Sequence, residues 1–367
     1  MTVRSMHRAR WWRPESDGRI LCTLCPRDCR LRPGQAGFCY IRQNHEGELV
    51  TLGYGRPTAV AADPIEKKPL NHFLPGTDVL SFGTAGCNLG CKFCQNWDIS
   101  KAKIDEIQSG HVSPERIVQT AIDEKCDSIA FTYNDPVIFG EFVIDVARIA
   151  RSRGVHTVMV TAGYVHEEPR REIFAEIDAA NVDLKGFTNE FYRKTTLSDL
   201  DPVRETLLRL RHETDVWLEI TTLLIPGLND SNRELSDECA WIARELGTDV
   251  PVHFTAFHPD YRMQDRPPTP PSTLHRARHI AHEAGLQFVY VGNIHDPAGQ
   301  TTFCPGCDRA VIERNWHSVL DNHIDHGKCG HCGHAIPGVF RDTRNGPSSP
   351  GLPRRVTLSN PEAKPCD

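Results

Sequence analysis

Residues 86–94 read Gly-Cys-Asn-Leu-Gly-Cys-Lys-Phe-Cys, and this short run decides how the rest of the chain is interpreted. It places Cys87, Cys91 and Cys94 in a C-x3-C-x2-C pattern. Three neighbouring thiolates can hold three corners of a cubane iron–sulfur cluster and leave one iron without a protein ligand. An iron with an open position can bind a substrate, as the open position of a catalytic zinc does. The run therefore predicts a reactive [4Fe-4S] cluster.

The length and charge of the chain restrict its class. Its 367 residues suffice for one large domain or a few smaller ones. The net charge of −6 gives no basic surface for nucleic acid or for an anionic membrane. The sequence lacks an apolar run long enough for a transmembrane helix, and Met1–Pro14 lacks the apolar segment of a secretory signal. We therefore expect a cytoplasmic protein without nucleic-acid or membrane partners.

Most of the fourteen cysteines belong to compact groups. A disulfide framework is the alternative interpretation, but it is typical of small secreted domains that lack a core. Close C-x2-C pairs in a large cytosolic chain are more often metal ligands. Cys126, Cys239 and Cys366 lie outside the groups, and the first two are expected to be buried as small apolar residues. Two further metal sites are predicted, one at Cys22, Cys25, Cys29 and Cys39, the other at Cys304, Cys307, Cys329 and Cys332.

The two four-cysteine groups differ in spacing. The C-terminal group consists of two C-x2-C pairs, a pattern typical of zinc ribbons and rubredoxin-like modules. Four thiolates complete a tetrahedral site, so a structural zinc is favoured, while a single iron would make the module an electron relay. The N-terminal group fits either zinc or an auxiliary iron–sulfur cluster, and zinc is the favoured interpretation.

Apolar runs alternate with amphipathic segments between Val79 and Asn293. Strands that alternate with helices predict a parallel sheet, and the length of the repeat favours a barrel or partial barrel. The first strand, Val79–Gly83, ends just before the cysteine loop, at the strand end where such folds place their chemistry. We divide the chain into a Cys-rich lobe (1–77), the barrel (78–299), a four-cysteine module (300–340) and a disordered tail (341–367).

Two further stretches match a known family together with the cysteine loop. Residues 22–29 read Cys-Thr-Leu-Cys-Pro-Arg-Asp-Cys, followed by Gly34, Gly37 and Cys39, and residues 63–70 read Asp-Pro-Ile-Glu-Lys-Lys-Pro-Leu. On these residues the chain resembles the radical S-adenosylmethionine (SAM) superfamily. Within it, the chain is similar to activating enzymes of the pyruvate formate-lyase type and to the radical SAM member of the AmmeMemoRadiSam system. The resemblance implies a partial (β/α)6 barrel that holds the cluster. It also implies that the open iron of the cluster binds SAM and that an electron from the cluster cleaves SAM to a 5′-deoxyadenosyl radical.

The resemblance also implies which residues contact SAM. Residues 132–136, Thr-Tyr-Asn-Asp-Pro, match the Gly-Gly-Glu-like turn that binds the SAM amino group, so Asp135 is the expected acceptor for the ammonium. A helix N-cap before Pro136 is the alternative role. The segment around Gly163 matches a strand end where relatives carry Asn-Gly, and Ala162 replaces that Asn. Phe93 is placed like the aromatic residue that accompanies adenine.

Two other strand ends complete the expected SAM site. Asp183 and Lys185 lie near SAM in relatives, with a structural ion pair as the alternative. Residues 225–230 resemble a loop that packs against the nucleoside, with a plain Pro-Gly turn as the alternative. The expected cofactor-binding residues are Phe93, Tyr133, Asn134, Asp135, Thr161, Gly163, Asp183, Lys185, Gly227 and Asn229.

These observations favour an enzyme that cleaves SAM and abstracts a hydrogen atom from a protein or small-molecule substrate. The alternatives are a glycyl-radical-enzyme activating enzyme and a non-catalytic iron–sulfur and zinc scaffold or electron-transfer protein. Beyond the cluster ligands no catalytic acid or base is required. The expected cofactors are a [4Fe-4S] cluster, SAM and zinc, and the expected partners are an electron donor such as flavodoxin or ferredoxin and a protein substrate.

Overall fold

The computed structural model describes residues 6–107, 109–341 and 353–358. An N-terminal lobe comes first, with strands β1 (His7–Arg8), β2 (Trp12–Pro14), β3 (Ile20–Cys22), β4 (Arg30–Leu31), β5 (Arg42–His45) and β6 (Glu48–Thr51). These strands form two antiparallel sheets, ordered β1-β6-β5 and β2-β3-β4. A buried ion pair fastens the lobe to the rest of the molecule, with 2.9 Å between Arg42 Nη1 and Glu141 Oε1.

One large sheet forms the body of the protein. Its strands are β7 (Thr58–Pro64), β8 (Asp78–Gly83), β9 (Ser128–Phe131), β10 (His156–Thr161), β11 (Ala179–Asp183), β12 (Trp217–Leu224), β13 (Val252–Ala256) and β14 (Val289–Gly292). Strands β8 to β14 are parallel neighbours in chain order, and β7 lies antiparallel at the β8 edge. The sheet order leaves β8 and β14 unpaired with each other, so the sheet is an open, partial barrel. Strand β7 belongs to this sheet although the sequence assigned it to the lobe.

Helices cover the outer face of the sheet. They are α1 (Trp97–Ser100), α2 (Pro114–Asp123), α3 (Gly140–Ser152), α4 (Glu167–Phe174), α5 (Asn189–Phe191), α6 (Leu200–Glu213), α7 (Asn232–Glu245) and α8 (Pro271–Glu283). Helices α2, α3, α4, α6, α7 and α8 each connect two successive parallel strands, which gives the expected six β/α units. Ser113 caps α2 by accepting the N–H of Arg116 at 3.3 Å, as the Ser-Pro-Glu start predicts.

The N-terminal ends of the parallel strands are closed from below. Ile65, Leu70, Phe73 and Leu74 pack against buried residues of β8, β9, β10 and β11. A buried carboxylate, Glu219, accepts the backbone N–H groups of Asn71 and His72 at 3.0 and 2.8 Å. The oxygen that accepts from Asn71, Oε2, also lies 2.7 Å from His253 Nε2. This lower end of the barrel is held by polar bonds as well as by apolar packing.

A small module follows the barrel. It contains α9 (Pro297–Gln300), β15 (Thr302–Phe303), β16 (Ala310–Asn315), β17 (Ser318–Asn322), β18 (Ile324–Asp325) and β19 (Lys328–Cys329). The module docks on the lower end of the barrel, where buried Arg314 donates to Asn71 O at 2.6 Å and to Thr302 Oγ1 at 2.8 Å. His72 Nδ1 also lies 2.7 Å from Pro337 O.

Part of the C-terminal tail is also described. Strand β20 (Arg354–Arg355) pairs antiparallel with β7 and becomes the outer strand of the large sheet. Most of the tail for which we predicted disorder lies outside the described residues, but this short segment is ordered against the sheet. Within the described ranges, no helix is both long enough and apolar enough to cross a membrane.

Candidate active site

A cavity of about 270 Å³ opens at the C-terminal ends of the parallel strands. The three loop cysteines line it together with residues from the ends of β9, β10, β11, β12 and β13. This is the end of the barrel where parallel α/β folds place their active sites. Of the ten expected cofactor-binding residues, seven line this cavity: Phe93, Tyr133, Asn134, Asp135, Thr161, Asp183 and Lys185.

Two glycines let the cysteine loop lie close to its neighbours. Gly86 has a φ of +83°, and a Cβ there would lie 2.0 Å from the carbonyl oxygen of Cys39. A Cβ on Gly90 would lie 2.6 Å from Leu197 Cδ1. Asn134 fixes the start of the loop by donating from Nδ2 to Gly86 O at 2.8 Å. The backbone path that presents the three thiols therefore requires glycine at position 86, while Gly90 leaves room for the Leu197 side chain.

Cations and hydrogen-bond donors surround the three thiols. Burial raises the pKa of the Cys91 thiol to about 12, and the nearby ammonium groups of Lys185 and Lys101 oppose this shift. Lys101 is held by donating from Nζ to Leu89 O at 2.7 Å. Ser100 Oγ lies 3.1 Å from Cys94 Sγ. Since metal ligands must be thiolates, these positive and donor groups favour an anionic cluster over three free thiols.

Asp135 lines the cavity and has the capping role that the sequence offered as the alternative. One oxygen, Oδ1, accepts from the N–H of Val137 at 3.1 Å and from Thr161 Oγ1 at 2.8 Å, so Asp135 does cap the turn that follows it. The other, Oδ2, accepts from the N–H of Ala162 at 3.2 Å. Burial raises the pKa of this carboxyl to about 6, although these donors oppose the shift. A carboxylate has about four acceptor positions, so Oδ2 retains one for a ligand.

Asp183 and Lys185 form an ion pair beside the cysteines, with 2.7 Å between Asp183 Oδ2 and Lys185 Nζ. Burial disfavours the charge on Lys185, but Asp183 and the neighbouring thiols outweigh this and raise its pKa. The structural ion pair that we weighed as the alternative is therefore present. Both residues also line the cavity, so the pair is available to a ligand.

Three expected contact residues lie outside the cavity lining. Gly163 turns the chain at a φ of +65°, and its carbonyl oxygen accepts from Thr206 Oγ1 at 2.7 Å, so it packs β10 against α6. Gly227 has a φ of +72° within the Pro-Gly turn that we weighed as the alternative. Asn229 is fully buried and donates from Nδ2 to Lys185 O and Leu223 O at 2.9 Å each. These residues position the lining, and the prediction that they contact SAM is not supported by their placement.

The two aromatic candidates differ in their surroundings. Phe93 is buried in the cysteine loop, with its ring centroid 6.2 Å from that of Phe191. Tyr133 has a φ of +72° and donates its hydroxyl to Asp63 Oδ2 at 3.0 Å. Asp63 also accepts from Lys67 and Lys68 at 2.8 and 2.7 Å, so the matched stretch 63–70 supports the wall of the cavity.

Several lining residues were missed by the sequence reasoning. Lys101 and Ser100 come from α1 and the turn after it, and only the fold brings them to the thiols. Four more lie within or just after expected strands, and that position alone could have indicated them. This second set comprises Thr221, Leu223, Thr255 and Asn293.

The C-terminal cysteines form a compact site. Cys304 Sγ lies 3.6 Å from Cys332 Sγ, and Cys307 Sγ lies 3.9 Å from Cys329 Sγ. Among the residues that the structure describes, these four are the one group of three or more metal-ligating side chains whose ligand atoms all lie within 4.8 Å of one another. Four sulfurs at this spacing suit a single tetrahedral ion.

The N-terminal cysteines converge in a different way. All four are unpaired thiols that line one small, separate cavity. No three of their sulfur atoms lie within 4.8 Å of one another, so these sulfurs are spaced more widely than those of the C-terminal group. The zinc that we favoured for this group is therefore not matched by the spacing.

Comparisons with known proteins agree with this site. The Radical SAM superfamily profile matches residues 82–239, which include the cysteine loop and the ends of β9, β10, β11 and β12. An uncharacterized protein of Methanocaldococcus jannaschii is 40% identical over 333 residues, which is 90% of this chain and 99% of that protein. The pyruvate formate-lyase-activating enzyme of Clostridium pasteurianum is 24% identical over 196 residues, 49% of this chain and 80% of the relative.

Among solved structures, a domain of pyruvate-formate lyase-activating enzyme from Bacteroides vulgatus aligns with a TM-score of 0.40 and 18% identity. The alignment covers 45% of this chain and 98% of that domain. A parallel partial barrel with a three-cysteine loop after its first parallel strand defines the class, an iron–sulfur barrel enzyme. The chain belongs to the radical SAM superfamily and is related to the pyruvate formate-lyase-activating enzymes.

Proposed function

We propose that the cavity at the upper end of the barrel, where the parallel strands have their C-terminal ends, binds a [4Fe-4S] cluster on Cys87, Cys91 and Cys94. SAM would bind the fourth iron of this cluster. The observation that carries this proposal is the convergence of these thiols with Lys101, Lys185 and Asp135 around one cavity. When bound, the cluster supplies the electron that cleaves SAM to a 5′-deoxyadenosyl radical, which abstracts a hydrogen atom from the substrate.

The residues of the chain position SAM rather than react with it. Asp135 uses the free acceptor position of Oδ2 for the SAM ammonium, and the bonds from Val137 and Thr161 hold the carboxylate in place for that contact. Lys185 and Lys101 offset the negative charge of the thiolates. Phe93 supplies an apolar surface against which the adenine packs.

The test is anaerobic reconstitution with iron and sulfide, followed by SAM and dithionite and measurement of 5′-deoxyadenosine. The native protein should form the nucleoside, and a variant with Cys87, Cys91 and Cys94 changed to Ala should not. Cys126→Ala is the matched control, because Cys126 is a buried thiol outside every cysteine group. Absence of nucleoside from the reconstituted native protein would refute the proposal.

The relationship to an enzyme named for activating pyruvate formate-lyase supports a second candidate, in which the hydrogen atom comes from a glycine of a protein. Electron paramagnetic resonance would test it, with this protein, pyruvate formate-lyase, SAM and dithionite mixed without oxygen. An organic radical that forms with the native protein and not with Cys94→Ala would support an activating role. With SAM cleaved but no radical on the partner, deuterated candidate substrates should be screened for label in 5′-deoxyadenosine.

We further propose that the C-terminal cysteines hold a structural zinc, because their four sulfurs leave no open position on a tetrahedral ion. A low-potential protein such as flavodoxin or ferredoxin would supply the electron. The many unpaired thiols suit the reducing cytoplasm. Metal analysis of the purified protein would test the zinc assignment, and one iron per chain in place of zinc would indicate a rubredoxin-like module instead.

A further inference from the structure

The four N-terminal cysteines surround an enclosed cavity that the function proposed above does not use. Its remaining lining is largely apolar, from Leu24, Leu31, Phe38 and Ile138. Such a lining offers few hydrogen bonds to an ordered water, which needs two to four polar partners. The space measures only about 10 Å³, so the spacing of the sulfurs and the charges around them decide which group could bind there.

The spacing of the sulfurs distinguishes between the groups that could occupy this cavity. A tetrahedral zinc with Zn–S bonds of about 2.3 Å brings its four sulfurs within about 4 Å of one another. The C-terminal group has that spacing, and the N-terminal group does not. A cubane cluster spreads its four thiolates farther apart, because each of them binds a different iron.

Charge and hydrogen bonding at the cavity favour an anionic occupant. Arg42 lines it and is 1% exposed, and its Nε–H has no hydrogen-bond acceptor among the described residues. The other nitrogens of this guanidinium bind Glu141 and Arg10 O. Backbone N–H groups of Arg27, Phe38 and Ile41 face the sulfurs of Cys25, Cys29 and Cys39. A buried cation and N–H···S bonds are what a negatively charged iron–sulfur cluster requires.

The cavity also shares a wall with the SAM-cleaving site. Asn88, the neighbour of Cys87, lines it, and Arg27 Nε donates to Asn88 O at 2.8 Å. On the other side, the carbonyl oxygen of Cys39 lies against Gly86 so closely that no side chain fits between them. Residues 86–88 and the chain around Cys39 therefore lie between the two cysteine groups.

We propose that Cys22, Cys25, Cys29 and Cys39 hold a second [4Fe-4S] cluster, fully ligated by the protein, that relays single electrons to the SAM-binding cluster. With four thiolates it has no open iron for SAM. A low-potential donor protein loses one electron, the second cluster gains it and then passes it on, and no bond is made or broken there. The relay rests on the proposed function of the upper cavity, whereas the binding of the second cluster does not.

Counting metals in the reconstituted native protein tests the cluster. The proposal expects about eight irons and about one zinc per chain. About four irons with about two zincs would overturn it. The variant with Cys87, Cys91 and Cys94 changed to Ala should keep about four irons and an oxidised Mössbauer spectrum of cubane type. Eight irons in a protein that makes no 5′-deoxyadenosine would leave this cluster standing and refute the proposed function instead.

Cys29→Ala tests the relay, because Cys29 is the least buried of the four. The variant should make 5′-deoxyadenosine at least about tenfold more slowly with reduced flavodoxin, but at a near-native rate with dithionite, which is small enough to reduce the SAM-binding cluster directly. Cys126→Ala should behave as native with both reductants. An equal loss with both would overturn the relay, and so would no loss with flavodoxin.

Discussion

Both ends of the barrel bury a carboxylate, but the two carboxylates differ in how many of their hydrogen-bond acceptor positions are filled. At the lower end, Glu219 accepts from the backbone of Asn71 and His72, from Trp217 Nε1 at 3.0 Å and from His253. These four donors fill its acceptor positions. At the upper end, Asp135 has three donors and faces a cavity. A saturated carboxylate supports the fold, whereas an unsaturated one beside a cavity can bind a ligand.

The largest expected effect tests the upper end. In Gly86→Ala the new Cβ would overlap the carbonyl oxygen of Cys39, and the φ of +83° would be strained. The loop must move, so iron should be lost and 5′-deoxyadenosine formation should fall by more than about 100-fold. Gly110→Ala is the control, since a Cβ there meets nothing within 4 Å. Near-native activity in Gly86→Ala would show that the loop is not held as described.

The next effect belongs to the lower end. Glu219→Gln places an amide NH₂ among donors that need an acceptor, and it should lower the free energy of unfolding by about 3 kcal/mol. Urea unfolding measures this change, while iron content and activity per folded molecule should stay native. A loss of activity in the folded variant would contradict the view that the lower end supports the fold and takes no part in the reaction.

Asp135→Asn should have a smaller effect, on the binding of SAM rather than on the stability of the fold. Replacing a charge-assisted bond to the SAM ammonium by a neutral one costs about 1.5–3 kcal/mol, so kcat/KM for SAM should fall about 10- to 100-fold. The loss should appear mainly in KM, with iron content retained. If the variant instead unfolds readily and binds SAM with native affinity, the cap of residues 136–139 is the main role of Asp135.

The smallest effect concerns Glu238, a fully buried carboxyl that is hydrogen-bonded to the Thr222 hydroxyl. Burial raises its pKa to about 8, and Thr222, its hydrogen-bond partner, only partly opposes this. The fold favours the protonated carboxyl. Its contribution to the free energy of unfolding is therefore complete below about pH 4.5, the ordinary pKa of a glutamate, and is lost as the pH rises through 8. Native protein should lose about 2 kcal/mol more than Glu238→Gln between pH 6 and 9, measured by urea unfolding. Equal losses would mean that Glu238 is already ionised at pH 6.

Local patterns predicted the barrel well. Apolar runs and capping residues such as Ser113 act within a few positions, so the parallel strands and six connecting helices follow from the sequence. The short α5 helix and the π-turn Tyr192–Thr196 did not, because they are held by backbone bonds to the cysteine loop, from Gly90 and Lys92 to Thr196 and Thr195. Strand β20 likewise depends on an edge of β7 that is distant in sequence.

The sequence predicted those parts of the site that depend on residue type. It did not predict those that depend on which distant residues the fold brings together. The cysteine loop and Asp135 were recognised by pattern, and both line the cavity. Asn229 has the residue type of a ligand, but its amide joins Lys185 and Leu223, which only the fold brings together. Lys101 carried no motif at all. For the N-terminal cysteines, the sequence gives the number of thiols but not the distance between them.

If the four-cysteine module binds the metal proposed above, its docking makes the barrel depend on metal supply. Arg314 and Pro337 belong to the module, and their bonds to Asn71 and His72 complete the lower end. A metal that binds only the folded module stabilises the protein by about 2.7 kcal/mol when its free concentration is 100 times the dissociation constant. Through the shared residues, that stabilisation extends to the barrel. Chelation of the distant ion would then act as a mild denaturant of the catalytic domain, with no ligand of the active site removed.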